Sequence, residues 1–262
     1  MYRKILLLLV SFLALPLAAQ PETPLVWIER PETEQSVRIN MTTFSVLRAH
    51  LQRPVTVIEA NTARALQFLN EQPLACRGDL RKTEAREAQF AITRLPQVVY
   101  PSLRVFSHQP LAQSPVSLDY LKSLRQVLPL QIHRDYGFDT RLLEGDKLMV
   151  MEMQTRVGPQ NAIRLFNHKR ADLLIEYPSV YDVYSEQDEN TALYVYPLAG
   201  QDEAALGYIM CSDTPEGRQM VERFDAILDD VRHQQAYLEA HKVWFPHFDI
   251  TGLYNQVYQT AL

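Results

Sequence analysis

The sequence predicts an α/β protein with mostly parallel sheets flanked by helices, and three observations carry that expectation. Short apolar or β-branched runs alternate with amphipathic helical patterns along the chain after residue 20, the pattern of strand–helix–strand units. The clearest unit is HKRADLLIEYP (168–178), where a charged helix end gives way to the apolar run Ala171 to Ile175 and stops at Glu176-Tyr177-Pro178. Such a run reads as a buried, parallel strand. No internal repeat or low-complexity tract interrupts the alternation. Open α/β sheets bind ligands beyond the carboxyl ends of their strands, so Glu176 and Tyr177 stand where a ligand is met. The rest of the chain then reads as one lobe holding this strand and a second that closes on it.

Taken in order, PLVWIE (24–29) is the first strand and Val37 to Gln52 a helix, with Ile39, Phe44, Val46, Leu47 and Leu51 on its apolar face. PVTVIEA (54–60) is β-branched and alternating, hence a strand. Asn61-Thr62 caps the next helix, because a short polar side chain there accepts from an orphan N–H of the first turn. Ala75-Cys76 is a short strand, and Lys82 to Glu87 a polar turn or helix start. QVVYPSLRVFSH (97–108) is apolar and broken by Pro101, which suits a strand that changes lobe. A Ser-capped helix follows over 117–127, then the strand LPLQIH (128–133), the turn Asp135-Tyr136-Gly137, a helix over 138–144 and a strand over 147–154. The helix 158–169, with Pro159 in its first turn, feeds the strand at 171–175. A Ser179-capped helix, strands over 191–198 and 205–211, and a long helix opened by Thr214-Pro215 come next. Further helices cover 236–244 and 250–258.

The first 19 residues read as a signal peptide: Arg3 and Lys4, an apolar run from Ile5 to Leu15, and small residues at Ala18-Ala19. The run is too short for a transmembrane helix, and no Cys follows it for lipid attachment. Without Arg3 and Lys4 the remainder carries 24 basic against 31 acidic residues, near −7, which argues against a nucleic-acid surface. Its only cysteines, Cys76 and Cys211, suggest one disulfide in an exported chain; two free buried thiols are the alternative.

No catalytic motif is present: there is no G-x-S-x-G, H-E-x-x-H or P-loop, and Gly is too scarce for nucleotide-cradling loops. No cofactor or metal is expected; Asp229 and His233 lie one helical turn apart, but a solvated helix face explains them better. Arg86, between a Thr-Glu-Ala turn and the apolar Phe90-Ala91-Ile92, can grip a carboxylate through two parallel hydrogen bonds. A surface pair with Glu84 or Glu87 is the plainer reading of its spacing.

The order of these pieces resembles the family 3 extracellular solute-binding proteins, the periplasmic amino-acid-binding type, and within it a divergent branch. The matching residues are Lys82-Thr83-Glu84-Ala85-Arg86 with Phe90, the strand and turn from Leu130 to Tyr136-Gly137, Arg170-Ala171-Asp172, Glu176-Tyr177-Pro178, Cys76, and Cys211 with Pro215-Glu216-Gly217. The resemblance implies the two-lobed type II periplasmic-binding fold, hinged by two crossover strands near Ser102–Ser107 and Ala199–Gly207. It implies lobe 1 over 20–103 and 206–262 and lobe 2 over 104–205, with both cysteines in lobe 1. In the family, the Arg matching Arg86 binds a ligand carboxylate and the turn matching Arg134-Asp135-Tyr136 adds hydrogen bonds from the other lobe. The family's ammonium-binding Asp falls on Tyr177, one residue past Glu176, and the stacking aromatic segment after the first strand is here Arg30 to Gln35, without an aromatic. The expected ligand contacts are Arg86, Arg134, Asp135, Tyr136, Glu176, Tyr177 and Trp27. The expected role is capture of a small anionic or amino-acid-like solute in the periplasm for an ABC-type importer or a sensor, without enzymatic activity. The alternative is a two-lobed interaction module that has lost its pocket and exposes an apolar patch around Trp244, Phe245 and Phe248.

Overall fold

The computed structural model of the protein describes residues 23–29, 37–131, 138–153, 160–185, 192–243, 245 and 250–260. The opening third follows the strand–helix rhythm closely. Strand β1 (Leu25–Glu29) leads to helix α1 (Val37–His50), strand β2 (Val55–Glu59), helix α2 (Thr62–Glu71) and strand β3 (Ala75–Leu80). Asn61 caps α2 as expected, its side chain accepting from the Arg64 N–H. The short helix α3 (Glu84–Glu87) and strands β4 (Phe90–Ile92) and β5 (Val98–Pro101) complete this part.

Past Pro101 the chain enters a second group of elements. Strand β6 (Arg104–Ser107), helix α4 (Leu118–Ser123) and strand β7 (Val127–Gln131) are followed by a 3₁₀ turn (Thr140–Leu143), strand β8 (Met149–Met153) and helix α5 (Gln160–Asn167). The segment 138–144, expected as a helix, holds only that turn, capped by Asp139. Strand β9 (Leu173–Glu176), helix α6 (Pro178–Tyr184) and strand β10 (Tyr194–Pro197) close the group. Helix α6 starts one residue before the expected Ser179 cap: Pro178 takes the first helical position, where its missing N–H costs nothing, and Tyr177 is the cap residue. The chain returns through strand β11 (Ala204–Ser212) to helices α7 (Pro215–Val231), α8 (Gln235–Lys242) and α9 (Ile250–Thr260). Among the described residues no helix is long and apolar enough to cross a membrane.

One sheet takes the order β2-β1-β3-β11-β4, with β5 on β11; a second is β10-β6-β9, and β7 pairs with β8. The ladders β1–β2, β1–β3 and β7–β8 are parallel, as strand–helix–strand units require. Every antiparallel ladder involves β6 or β11, the two strands that carry the chain between the sheets. Strand β9 is therefore antiparallel to β6, which corrects the expectation for the 171–175 run. Just before β9, the Asp172 N–H donates to the Val127 carbonyl at 3.0 Å and Asp172 Oδ2 accepts from the Val127 N–H at 2.8 Å, setting the start of β9 beside the start of β7.

Side chains alternate across each strand, so each sheet carries a core on both faces. In the first sheet Leu25, Trp27, Cys76 and Cys211 face Phe44, Phe224 and Leu228, while Ile28, Leu80 and Met210 face Ala65 and Leu69. In the second, Val105 and Ile175 join Leu121 and Leu128, while Phe106 and Leu174 join Ile163, Phe166 and Tyr181. Cys76 and Cys211 are partners in the β3–β11 ladder and form a disulfide with neither residue exposed.

Candidate ligand-binding site

Strand registers show where the two sheets meet. Ala204 to Gly207 of β11 pair with Pro101 to Val98 of β5, next to the crossing, and Tyr208 then pairs with Leu80. Since β11 is antiparallel to β3, the carboxyl end of β3 points toward the crossing. Arg104, the first residue of β6 beyond the crossing, pairs with Glu176, the last residue of β9. The carboxyl end of β9 thus points to the same place from the other sheet. The ring of Tyr100 on β5 meets that of Tyr177 edge-on, centroids 5.3 Å apart, and so joins the two groups of elements there.

From the first sheet the site receives the segment after Leu80. The Thr83 carbonyl accepts from the Arg86 N–H at 3.0 Å, which starts α3 and fixes the Arg86 backbone. Arg86 is half-buried, and its Nη1 donates to the Arg81 carbonyl at 2.6 Å, folding the guanidinium back against the end of β3. Glu87, weighed as its partner, pairs instead with Lys82 at 3.1 Å. Lys82 also lies over the Tyr208 ring, Nζ 5.6 Å from the centroid. The Tyr208 phenol is pushed up by burial, with the Lys82 charge opposing and that of Glu87 adding.

From the second sheet come Glu176 and Tyr177. Glu176 is 1% exposed, and its Oε1 accepts from the Tyr177 N–H at 2.7 Å. That bond occupies part of the carboxylate's accepting capacity at the very turn where β9 becomes α6. Arg134, Asp135 and Tyr136 lie in 132–137, outside the described residues. Trp27 goes to the core of the first sheet: its ring is fully buried, stacks on Phe44 at 3.6 Å and 2°, and donates through Nε1 to Glu29. The large apolar residues of the opening strand are buried because both faces of its sheet are covered, Leu25 and Trp27 by Phe44 and Phe224 and Ile28 by Ala65 and Leu69, which the spacing alone does not reveal.

Sequence reading passed over Arg104 and Tyr100. Arg104 is half-buried at the crossing, and its Nη1 donates to the Ser102 and Leu103 carbonyls, each at 3.3 Å. Burial holds its guanidinium below the usual arginine range, with the negative charge of Glu203 opposing. A single basic residue inside the otherwise apolar LRVFS was the signal available. Elsewhere, Asp229 pairs with Arg232 at 2.9 Å, and no cluster suited to a metal ion occurs among the described residues. Phe245 is buried against Val98 and Ile250, so it adds nothing to an exposed patch; Trp244 and Phe248 lie outside the described residues.

Two sheets crossed by two strands, with strand carboxyl ends from both facing the crossing, define the two-lobed type II periplasmic-binding fold. Solved structures bear the fold out. The probable amino-acid ABC transporter extracellular-binding protein YtmK of Bacillus subtilis is similar over 87% of this chain and 99% of its own, with a TM-score of 0.66 and 13% identity. An ancestral arginine-binding protein bound to arginine matches 86% of this chain and all of its own, at TM-score 0.61 and 14% identity. The ancestral amino acid-binding protein AncCDT-1, described as a precursor of cyclohexadienyl dehydratase, matches 85% of this chain and 94% of its own at TM-score 0.61 and 12% identity. No protein-family model and no curated protein matches the sequence, so the likeness is one of fold.

Proposed function

We propose that the protein is a periplasmic solute-binding protein that captures a small anionic or amino-acid-like solute between two lobes and presents it to an ABC-type importer or a sensor. One observation carries the reading: the carboxyl ends of β3 and β9, from two different sheets, face a single crossing of two strands. Two connections of this kind form a hinge, and closure about a hinge buries a solute against both sides. Lobe 1 comprises 20–103 and 206–262, lobe 2 comprises 104–205, and residues 1–19 act as the signal peptide for export. Arg86 on lobe 1 holds the solute's negative group, and the Arg134-Asp135-Tyr136 turn with Tyr177 contributes from lobe 2. The structural neighbours, whose descriptions are of amino-acid binding and transport, support a binder over an enzyme.

The test is thermal unfolding of the purified chain in the presence of amino acids, carboxylates and small peptides. A solute at about 100 times its Kd adds about 2.7 kcal/mol, which is about 5–11 °C in Tm for a chain of this size. No shift across the panel refutes the reading. It would favour the pocketless interaction module, which the local engagement of Glu176 with Tyr177 makes the second choice.

A further inference from the structure

We propose that Met149 and Met151 on strand β8 form a two-thioether site for a soft monovalent cation, Cu(I), independent of the solute-binding reading. Three of the seven methionines fall within the five residues of β8, at positions 149, 151 and 153. Side chains alternate along a strand, so these three leave β8 on one face, while Leu148 and Val150 leave on the other. Burial follows that division. Leu148 and Val150 join the core around Leu121 and Leu128, whereas Met153 packs with Phe106, Phe166 and Tyr181. Core packing thus accounts for Met153. It does not account for Met149, which is 63% exposed, or for Met151, which is part-exposed. A lone exposed methionine such as Met41 needs no explanation, but here two stand side by side on one face.

The geometry suits a chelate. Residues two apart on a strand are about 6–7 Å apart, and each methionine has three rotatable bonds, so two sulfurs can converge on one ion between them. Met153 is about 13 Å along the strand from Met149, too far to share that ion. In the β7–β8 ladder Val127 lies opposite Met149 and Pro129 opposite Met151, on the same face. Neither side chain offers a nitrogen or oxygen donor, so sulfur is what this face presents. The donors that hold zinc, calcium or magnesium (His, Cys, Asp and Glu) form no suitable cluster among the described residues. Thioethers serve a different class of ion and select Cu(I). They carry no proton to displace, so their affinity does not depend on pH as that of an imidazole or thiolate site does. The site also lies away from the crossing. Val127 is bonded to Asp172, just before β9, while the far end of β9, at Glu176, is the end that faces the crossing.

The test is an anaerobic titration of the full chain, its methionine methyl carbons labelled with carbon-13, with Cu(I) supplied as its acetonitrile complex and Zn(II) as the contrast. The Met149 and Met151 methyl signals are expected to shift together and to stop at one equivalent of Cu(I), with Met41 still unmoved. Met149→Leu and Met151→Leu nearly conserve volume at exposed positions and so keep the fold. Each identifies its own signal and should weaken binding about 100-fold, the low end of what joining two sites gains. Met153→Leu should leave binding unchanged, and the wild-type affinity should be the same at acid and at neutral pH. No shift in excess Cu(I) overturns the proposal. So does a Met41 signal that moves in step with the pair, a Met149→Leu or Met151→Leu chain that binds like wild type, or Zn(II) binding with the same midpoint.

Discussion

Removing the Cys76–Cys211 bridge should destabilise the protein more than any other single cross-link change its sequence permits. The two residues are 135 apart in sequence, so the bond closes a loop holding the whole second sheet and both crossings. In the folded state the bond adds little order, because the residues are already partners in the β3–β11 ladder. In the unfolded chain it removes a large part of the conformational freedom. For a loop of this length the chain-entropy relation gives about 5 kcal/mol at 25 °C, comparable with the lower end of total domain stability. The perturbation is Cys76→Ala with Cys211→Val, which keeps the site apolar and nearly conserves volume. Urea unfolding of the oxidised wild type, its reduced form and the double variant should show the midpoint falling by a similar amount in the last two. The slope of stability against urea should rise, since an uncross-linked unfolded chain exposes more surface. A loss below about 1 kcal/mol with an unchanged slope refutes the placement of the effect in the unfolded state.

Two further perturbations probe the same lobe. Gly207→Ala should cost about 1–3 kcal/mol, because a Cβ there would lie 2.4 Å from Val98 Cγ2 and 2.9 Å from the Asp79 Cα, a backbone atom held by the left-handed turn at Asp79; a urea midpoint within error of wild type refutes the close approach. His241 is fully buried, and burial pushes its pKa down to about 4, the Tyr237 carbonyl opposing. The folded state thus keeps it neutral where the unfolded chain begins to protonate near pH 6.5, so stability should be complete above that and fall by about 3 kcal/mol toward pH 4. His241→Leu should flatten that part of the pH–stability curve, and an unchanged slope refutes the assignment.

What the sequence made legible was whatever is decided within a few residues. Asn61, Thr83, Ser117 and Thr214 cap helices because each side chain reaches an N–H two or three positions on, a bond that needs no distant partner. The apolar stripe of α7, Val221, Phe224, Leu228 and Val231, is likewise a local periodicity that the core then uses. Strand β3 runs past Ala75-Cys76 to Leu80 although Gly78 and Asp79 are poor strand residues on propensity and Arg77 is charged. Arg77 is buried there because the Ala60 carbonyl and Thr62 Oγ1, from the preceding unit, accept its guanidinium N–H groups. The direction of β9 was missed for a related reason. A buried apolar run is the same whether its neighbour runs with it or against it, and here the paired neighbour, β6, runs against it. At the candidate site the same division holds. The Thr83 cap that sets the Arg86 backbone is local, within the segment read as a polar turn or helix start. The pairing of Arg104 with Glu176 and the meeting of Tyr100 with Tyr177 exist only because the chain passes from β5 in one sheet to β6 in the other, so they follow from topology and leave no spacing to read.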